Sequence, residues 1–234
     1  MIMAAHLPYQ YAGFELAIFE KALHWKRYWS SLIAPYVSGH VLEVGAGIGA
    51  NTEALTQLLH QSCTSLEPDA ALAAQIRIRG PRHRKLIGTL ADVDESFDTI
   101  LYIDVLEHIE DDRAELMQAA AHLKPGGHVI ALSPAHAALY TSFDKAIGHF
   151  RRYSKESLGK AASPSGLGLV KMQYLDSAGL LASAANRLVS SAQAPSEWQI
   201  LAWDCCLVPV SRVLDPALRY SMGKSILAVW KREF

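Results

Sequence analysis

Three glycines at alternating positions stand at the end of an apolar run, in the stretch VLEVGAGIGANT. Gly45, Gly47 and Gly49 have no Cβ, so the backbone can turn sharply there and come close to a ligand. GAGIGA also satisfies the pattern G-x-G-x-x-G/A of dinucleotide-binding loops, which by itself is a weak signal. The loop indicates a nucleotide or nucleoside site, with close packing of the following helix on its strand as the alternative.

Two glutamates near this loop restrict the ligand. Glu67 follows about 20 residues after Gly45, at the end of the next predicted strand, where an acidic side chain accepts hydrogen bonds from ribose hydroxyls. Glu43 lies within the first predicted strand, just before the glycines. A carboxylate there repels a pyrophosphate and attracts a ligand that carries an ammonium group. The pair therefore favours an adenosine-containing ligand with a positively charged part.

Short apolar runs alternate with helical patterns through the middle of the chain. Strands are predicted at VLEV, CTSLE, KLIG, FDTILYID and HVIALS, with helices between most of them and a turn at LKPGG before the last. This alternation predicts right-handed βαβ units and a mostly parallel α/β sheet. Ligands of such sheets bind beyond the carboxyl ends of the strands, where the glycine loop lies.

The 234 residues suit one α/β domain, which we divide into four segments. They are an aromatic-rich helical lead-in at 1–38, a cofactor-binding core at 39–133, a substrate or lid segment at 134–165, and a helical insertion at about 176–224. The insertion lies between two further predicted strands, GLVKMQYL and SILAVWKR, and would cap one end of the sheet if they pair. We expect the lead-in and this cap to form the acceptor pocket, although most apolar helical stripes, here Trp198 to Val208, are simply core.

The composition excludes several classes of protein. Half of the residues are hydrophobic and the formal net charge is -1, which is typical of a globular protein and gives no field that would recruit nucleic acid. No apolar stretch of membrane-spanning length or signal peptide is recognised. The three cysteines have neither disulfide nor zinc spacing. We expect a cytoplasmic protein with no nucleic-acid partner, no integral membrane segment and no metal site.

Four motifs occur in order over about residues 41–133: VLEVGAGIG, LEPD, FDTILYIDVLEHIEDD and LKPGGHVIALS. Together they resemble the class I S-adenosylmethionine-dependent methyltransferases. The resemblance implies a Rossmann-like sheet of seven strands, mostly parallel, with helices on both faces and an antiparallel last strand between the fifth and sixth. It also implies S-adenosylmethionine as cofactor and direct in-line transfer of its methyl group to a small-molecule or lipid-linked acceptor.

The resemblance assigns residues to the methionine end of the cofactor. Glu43 would organise that end, and Asp104, at the end of FDTILYID, would face it. Gly45, Ala46 and Gly47 would let the backbone pass beneath the sulfonium.

Other residues are assigned to the adenosine. Glu67 would hold the ribose diol, and Pro68 would pack against the adenine. The family often has an aspartate near the adenine amino group, but here Thr89 stands at that position and Asp92 follows three residues later. Thr89 can donate or accept a hydrogen bond, and the Leu90 amide could bond the ring.

The segment DKAIGHFRRYS resembles a G-H-x-R-R-Y stretch in related methyltransferases, which would face the substrate or cover the cofactor. His149 could act as general base for an acceptor that must lose a proton, because histidine is the residue type most often used for proton transfer near neutral pH. Arg152 or Arg151 could hold a carboxylate or phosphate through a two-pronged contact. The alternative is that His149 caps a turn and an arginine pairs with Asp144. We predict catalytic roles for His149, Arg152 and Tyr153.

Two other functions stay open at this point. The first is an NAD-dependent oxidoreductase on a similar sheet, against which Glu43 and the LKPGG turn count. The second is a non-enzymatic binding module that keeps the methyltransferase fold, against which the complete set of cofactor motifs counts.

Overall fold

The structure is a computed structural model that describes residues 11, 13, 15–56, 62–77, 80, 82–189 and 195–233, with the side chains of 56 and 186–189 excepted. Residues 1–10 of the predicted lead-in therefore lie outside the described residues.

Within the described residues, seven strands form one sheet. They are β1 (His40–Val44), β2 (Ser62–Glu67), β3 (His83–Ile87), β4 (Phe97–Ile103), β5 (Leu123–Pro134), β6 (Gly168–Leu175) and β7 (Ser225–Lys231). Their order is β3-β2-β1-β4-β5-β7-β6. β1 to β5 pair in parallel, whereas β7 is antiparallel to both of its neighbours, β5 and β6. The predicted fold class, including the inserted antiparallel last strand, is confirmed.

Ten α-helices accompany the sheet in the described part of the chain. They are α1 (Leu16–Phe19), α2 (Leu23–Ile33), α3 (Ala50–Thr56), α4 (Ala70–Gln75), α5 (Asp112–Ala121), α6 (Ser142–Ala146), α7 (Lys155–Ala162), α8 (Ser177–Val189), α9 (Glu197–Ala202) and α10 (Val208–Ala217). A π-helical turn, Trp203–Leu207, joins α9 to α10. It precedes Pro209, which has no N–H to donate to the carbonyl of Cys205. Of the helices that the structure describes, none has both the length and the apolar character needed to cross a membrane.

Side chains on both faces of the central strands are buried. In β4, Ile100 and Tyr102 join a core with α5 and α7, whereas Leu101 and Ile103 join a second core with α2 and α10. Successive side chains of a strand point to opposite faces, so each face receives every second residue. Because helices cover both faces, these strands are continuous apolar runs with no polar side.

Strand β5 is longer than the sequence predicts. LKPGG is predicted as a turn, but β5 runs through it from Leu123 to Pro134. Gly126 has a φ of 80°, and the register with β4 shifts between Phe97 and Thr99. A glycine-permitted irregularity therefore lets the strand continue where a turn is predicted.

The residues between β6 and β7 form α8 to α10, which we call the cap. Buried Asp176 accepts hydrogen bonds from Trp203 Nε1 at 2.7 Å and from Ser211 Oγ at 2.7 Å. Buried Asp215 of α10 accepts one from the Tyr28 hydroxyl of α2 at 2.8 Å. These carboxylates fasten the cap to the sheet and to α2. The division of the chain into four segments stays a prediction.

Candidate functional site

A cavity of about 870 Å³ lies at the carboxyl edge of the sheet. It is lined by the loop 45–47 after β1, Asp104 after β4, Pro134 at the end of β5 and Lys224 before β7. Because β7 is antiparallel, it begins at the edge where the parallel strands end, and Ser225 pairs with Pro134. Four strands thus deliver residues to one cavity, at the edge where ligands of such sheets bind.

The rest of the lining is rich in aromatic side chains from the lead-in, the segment 134–165 and the cap. They are Tyr11, Phe19, Trp25, Trp29, Phe143, Trp198 and Trp203. The apolar stripe of the cap is divided between two environments. Val208 is buried in the core, whereas Trp203 lines the cavity and Trp198, also in the lining, is 69% exposed. The stripe is therefore only partly core.

The glycine loop is held by a buried glutamate. Glu67 accepts hydrogen bonds from the Gly47 N–H at 2.7 Å and the Asp69 N–H at 2.9 Å. Burial raises its pKa. Gly45 has a φ of 65°, and a Cβ there would lie 2.8 Å from the Val105 side chain. The backbone therefore needs glycine at this position, and Glu67 fixes the loop at the cavity.

Glu43 lies behind the loop and is not in the cavity lining. It is buried in β1 and accepts a hydrogen bond from the Thr52 hydroxyl of α3. Burial raises its pKa to about 7, and the charge of Glu67 acts in the same direction. The structure shows a carboxylate that fastens α3 behind the loop, and its contact with the methionine end stays a prediction.

The residues assigned to the adenine are also outside the cavity lining. Pro68 is half-buried, Thr89 is exposed, and the Leu90 side chain is packed in the core. The Thr89 N–H and hydroxyl both donate to Asp92, at 2.8 and 3.0 Å. Asp92 thus caps a short turn at Thr89, and the adenine contacts stay predictions.

Asp104 is an acidic residue that faces the cavity. Its φ of 55° places it in the left-handed region directly after β4, a conformation that aspartate tolerates better than most residues. Its side chain is exposed to the cavity, yet surrounding protein reduces its solvation and raises its pKa to about 6, while the charges of His149 and Lys224 oppose this shift. No side-chain hydrogen bond to Asp104 is found in the described part of the chain.

Asp144 organises the predicted catalytic segment. It is almost fully buried and accepts hydrogen bonds from His149 Nδ1 at 3.0 Å and from two nitrogens of Arg152 at 2.8 and 3.0 Å. Burial disfavours its ionised form, but the hydrogen bonds from His149 and Arg152 outweigh burial and hold its pKa well below the usual range. His149 and Arg152 both line the cavity. Arg152 pairs with Asp144, which is the arrangement expected if this arginine has a structural role.

His149 also approaches an acidic residue on its other side. Its Nε2 lies 3.9 Å from Oε1 of Glu107, which is fully buried and, among described residues, has no hydrogen-bond donor to either oxygen. Burial, and then the charge of Asp104, raises the Glu107 pKa well above its ordinary value. Burial lowers the pKa of the adjacent His108 to about 3.

Among the residues that the structure describes, two groups of side chains have the spacing to hold a metal ion. In each group the potential ligand atoms all lie within 4.8 Å of one another. The groups are Glu107, His108 and His149 in the cavity region, and His24, Asp204 and Cys205 at the cap. The expectation that the protein has no metal site stays a prediction.

Tyr153 lies apart from His149 and Arg152, and its catalytic role stays a prediction. This residue is buried in the core, outside the cavity lining, and its hydroxyl donates to Asp112 at 2.8 Å. Neighbouring residues of an extended segment point to opposite sides, so Arg152 faces the cavity and Tyr153 the core. Arg151 pairs with Asp112 at 2.6 Å, on the side of Tyr153.

Two cavity residues, Glu107 and Lys224, have no role assigned from the sequence. Glu107 lies within the motif DVLEHIEDD, so its position after a strand end could have marked it. Lys224 precedes the strand SILAVWKR, and only the antiparallel direction of that strand indicates that it reaches the ligand edge.

Residues 19–172 match a family described as "Methyltransferase domain". The demethylmenaquinone methyltransferase of Tropheryma whipplei is 29% identical over 118 residues, which are 48% of this chain and 49% of that protein. A ubiquinone biosynthesis O-methyltransferase of Nitrobacter winogradskyi is 34% identical over 97 residues, 39% of this chain and 37% of that protein. The chain thus matches about half the length of these relatives or less.

A solved structure extends the similarity to most of the chain. Phosphoethanolamine N-methyltransferase 2 of Haemonchus contortus, in complex with S-adenosyl-L-methionine, superposes with a TM-score of 0.63. The superposition covers 94% of this chain and 58% of that chain at 15% identity. At this identity the likeness shows the fold.

Proposed function

Because the chain belongs to the methyltransferase domain family, we propose that it transfers a methyl group from S-adenosylmethionine to a hydroxyl of an apolar acceptor, small or lipid-linked. One observation carries this proposal: the glycine loop and the Asp144–His149 pair line the same cavity. The names of the two curated relatives refer to menaquinone and ubiquinone chemistry, which agrees with an apolar acceptor.

The residues present fit the cofactor, whose bound form supplies an electrophilic methyl group on a positively charged sulfur. Of the described residues, only the Leu16 side chain would lie near a Cβ at Gly47, at 3.5 Å, so the loop leaves space for a ligand. Each oxygen of Glu67 accepts one backbone N–H and keeps a lone pair for a ribose hydroxyl. Asp104 offers a carboxylate to the cofactor's ammonium group.

Asp144 determines which nitrogen of His149 can accept a proton. The Nδ1–H donates to Asp144, so the lone pair is on Nε2. Asp144 is itself fixed by the two-pronged contact with Arg152. His149 can therefore take the proton from an acceptor hydroxyl, while the aromatic walls hold the apolar part of the acceptor at attack distance.

The proposal is tested by binding and by label transfer. Calorimetry with S-adenosylmethionine and with NADH separates a methyltransferase from an oxidoreductase, and we expect binding of the first alone. Incubation with methyl-labelled S-adenosylmethionine and cell extract, followed by solvent partition, shows whether label enters a water-soluble or a lipid fraction. Cofactor binding without any label transfer would contradict the enzymatic proposal and favour the binding module.

Replacing Glu67 by alanine is expected to weaken S-adenosylmethionine binding by about tenfold, because the ribose loses an acceptor and the loop loses its anchor. Calorimetry measures the affinity, and circular dichroism checks that the fold persists. Glu156→Ala removes an exposed carboxylate outside the cavity lining and should leave the affinity unchanged. Equal affinities of the two variants would refute the ribose assignment.

Replacing His149 by alanine is expected to lower turnover by about a hundredfold, because the acceptor loses its general base. Cofactor affinity should change much less. His122→Ala serves as the control, since His122 lies before β5 at the opposite edge of the sheet. Label-transfer rates with a fixed extract fraction provide the measurement. A His149→Ala rate equal to that of the native protein would remove His149 as the base.

A further inference from the structure

Lys224 is held in the cavity by its own backbone. Its N–H donates to the Asp176 carbonyl at 3.0 Å, and its carbonyl accepts from the Ala135 N–H at 2.8 Å. The residue before Lys224, Gly223, is also held in place. Its carbonyl lies 2.9 Å from Nε2 of His136, within hydrogen-bond distance, and its backbone packs against that of Leu175. This backbone position, tied to segments on both sides, points the Lys224 side chain into the cavity lining.

Among the described residues, the ammonium group of Lys224 has a cation–π contact but no carboxylate partner. No carboxylate of the described residues lies within 4.0 Å of its Nζ, and its nearest described aromatic contact is the Trp203 ring, with the centroid at 5.2 Å. Asp176, the carboxylate that influences it most, already accepts from Trp203 and Ser211. Loss of solvation lowers the pKa of Lys224, which reflects an ammonium group held at a cost.

The other cations of the cavity differ from Lys224 in this respect. Arg152 makes the two-pronged contact with Asp144. Lys26 donates to the Glu20 carbonyl at 2.7 Å. Among the lysines and arginines of the described lining, Lys224 is therefore the one whose charged group has no hydrogen-bond acceptor. It influences Asp104 electrostatically, and its ammonium group lies over the ring of the cap residue Trp203.

We propose that Lys224 binds an anionic oxygen group of the methyl acceptor, a carboxylate, phosphate or ionised phenol, whose apolar body lies against the aromatic wall of the cap. This inference rests on the proposed methyl transfer and narrows its acceptor to an acidic amphiphile. A poorly solvated ammonium group without a hydrogen-bond acceptor favours an anion over a neutral group of the same shape. Lys224 thereby determines the specificity for the acceptor, whereas Asp104 is assigned to the cofactor.

Two probes of nearly equal shape test the charge preference. 4-Octylbenzoate carries an anionic head, and 4-octylbenzamide carries a neutral one. We expect the native protein to bind the benzoate at least about tenfold more tightly in calorimetric titrations, with and without S-adenosylhomocysteine. Equal binding of the two probes, or no binding of the benzoate, would overturn the inference.

Variants at position 224 test the residue. Lys224→Met should lose the preference for the benzoate, and Lys224→Arg should retain it within about threefold. Lys171→Met is a matched control, since Lys171 also lies over an aromatic ring, that of Tyr36, but outside the cavity lining. A Lys224→Met protein that still prefers the benzoate contradicts the inference. Should this variant fail to fold, Lys224→Gln replaces it, and the preference of the native protein remains decisive.

Thermal unfolding separates this role from a structural one. Removing an unpaired, poorly solvated charge is expected to leave the melting temperature of Lys224→Met unchanged or higher. A clear fall in melting temperature together with normal benzoate binding would indicate that Lys224 only supports the fold. S-Adenosylhomocysteine binding is measured separately, and its absence in the native protein would contradict the proposed methyl transfer rather than the anion site.

Discussion

Replacing Asp215 by alanine is expected to lower the free energy of unfolding by about 3 to 5 kcal/mol, because three buried donors lose their acceptor. The Asp215 carboxylate is fully buried and accepts from the Tyr28 hydroxyl at 2.8 Å, the Asp176 N–H at 2.8 Å and the Ser177 N–H at 2.9 Å. These bonds join α10, α2 and the start of α8. Urea-induced unfolding measures the change.

A surface carboxylate of the same cap provides the control for Asp215. Glu197 pairs with Lys21 at 2.6 Å, but both side chains are about half exposed. Exposed ion pairs stabilise proteins by about 1 kcal/mol or less, so Glu197→Ala should change stability little. If Asp215→Ala loses no more stability than Glu197→Ala, the buried carboxylate does not hold the cap in place.

Replacing Asp144 by alanine is expected to lower turnover by about a hundredfold or more, with cofactor affinity changed by about threefold at most. Without this carboxylate, His149 is free to take either tautomer and to turn away from the acceptor. Arg152 also becomes an unpaired charge in the cavity, where it competes for the anionic group that we assign to Lys224. Label-transfer rates and calorimetry separate the effects on turnover and on cofactor binding.

A second aspartate–arginine pair outside the cavity provides the control for Asp144. Asp112 is mostly buried, pairs with Arg151 at 2.6 Å and accepts from the Tyr153 hydroxyl. Asp112→Ala should therefore reduce stability, while the folded protein keeps its turnover within about threefold. If the two variants lose turnover equally, the effect of Asp144 is structural, and its proposed role in orienting the base His149 is wrong.

The sheet and its glycine loop could be predicted because their signals are local. A parallel strand covered on both faces is a short apolar run, and its helices follow in the same stretch of chain. The strands at GLVKMQYL and SILAVWKR are predicted with bounds within a residue of β6 and β7. The extension of β5 was not predicted, because a Pro-Gly-Gly sequence ordinarily marks a turn and only pairing with β4 and β7 keeps it in the sheet.

The partners of the predicted site residues could not be read from motifs. Thr89 stands where the family often has an aspartate near the adenine, yet in the structure it bonds to Asp92, three residues further on. Tyr153 and Arg152 are adjacent in the same motif, but one faces the core and the other the cavity. Alternation along an extended segment separates these two neighbours, but which of them faces the cavity depends on the packing around the segment.

The amino-acid sequence by itself determined the α/β class, the position of the glycine loop at a strand end and the acidic residues around it. These features depend on backbone preferences and on neighbours along the chain. Only the tertiary structure decided which charges are paired and which face the cavity. Lys224 is the clearest case. The antiparallel strand that brings it to the ligand edge was already implied by the resemblance, but the lack of a carboxylate partner for its ammonium group among the described residues depends on how distant parts of the chain pack around it.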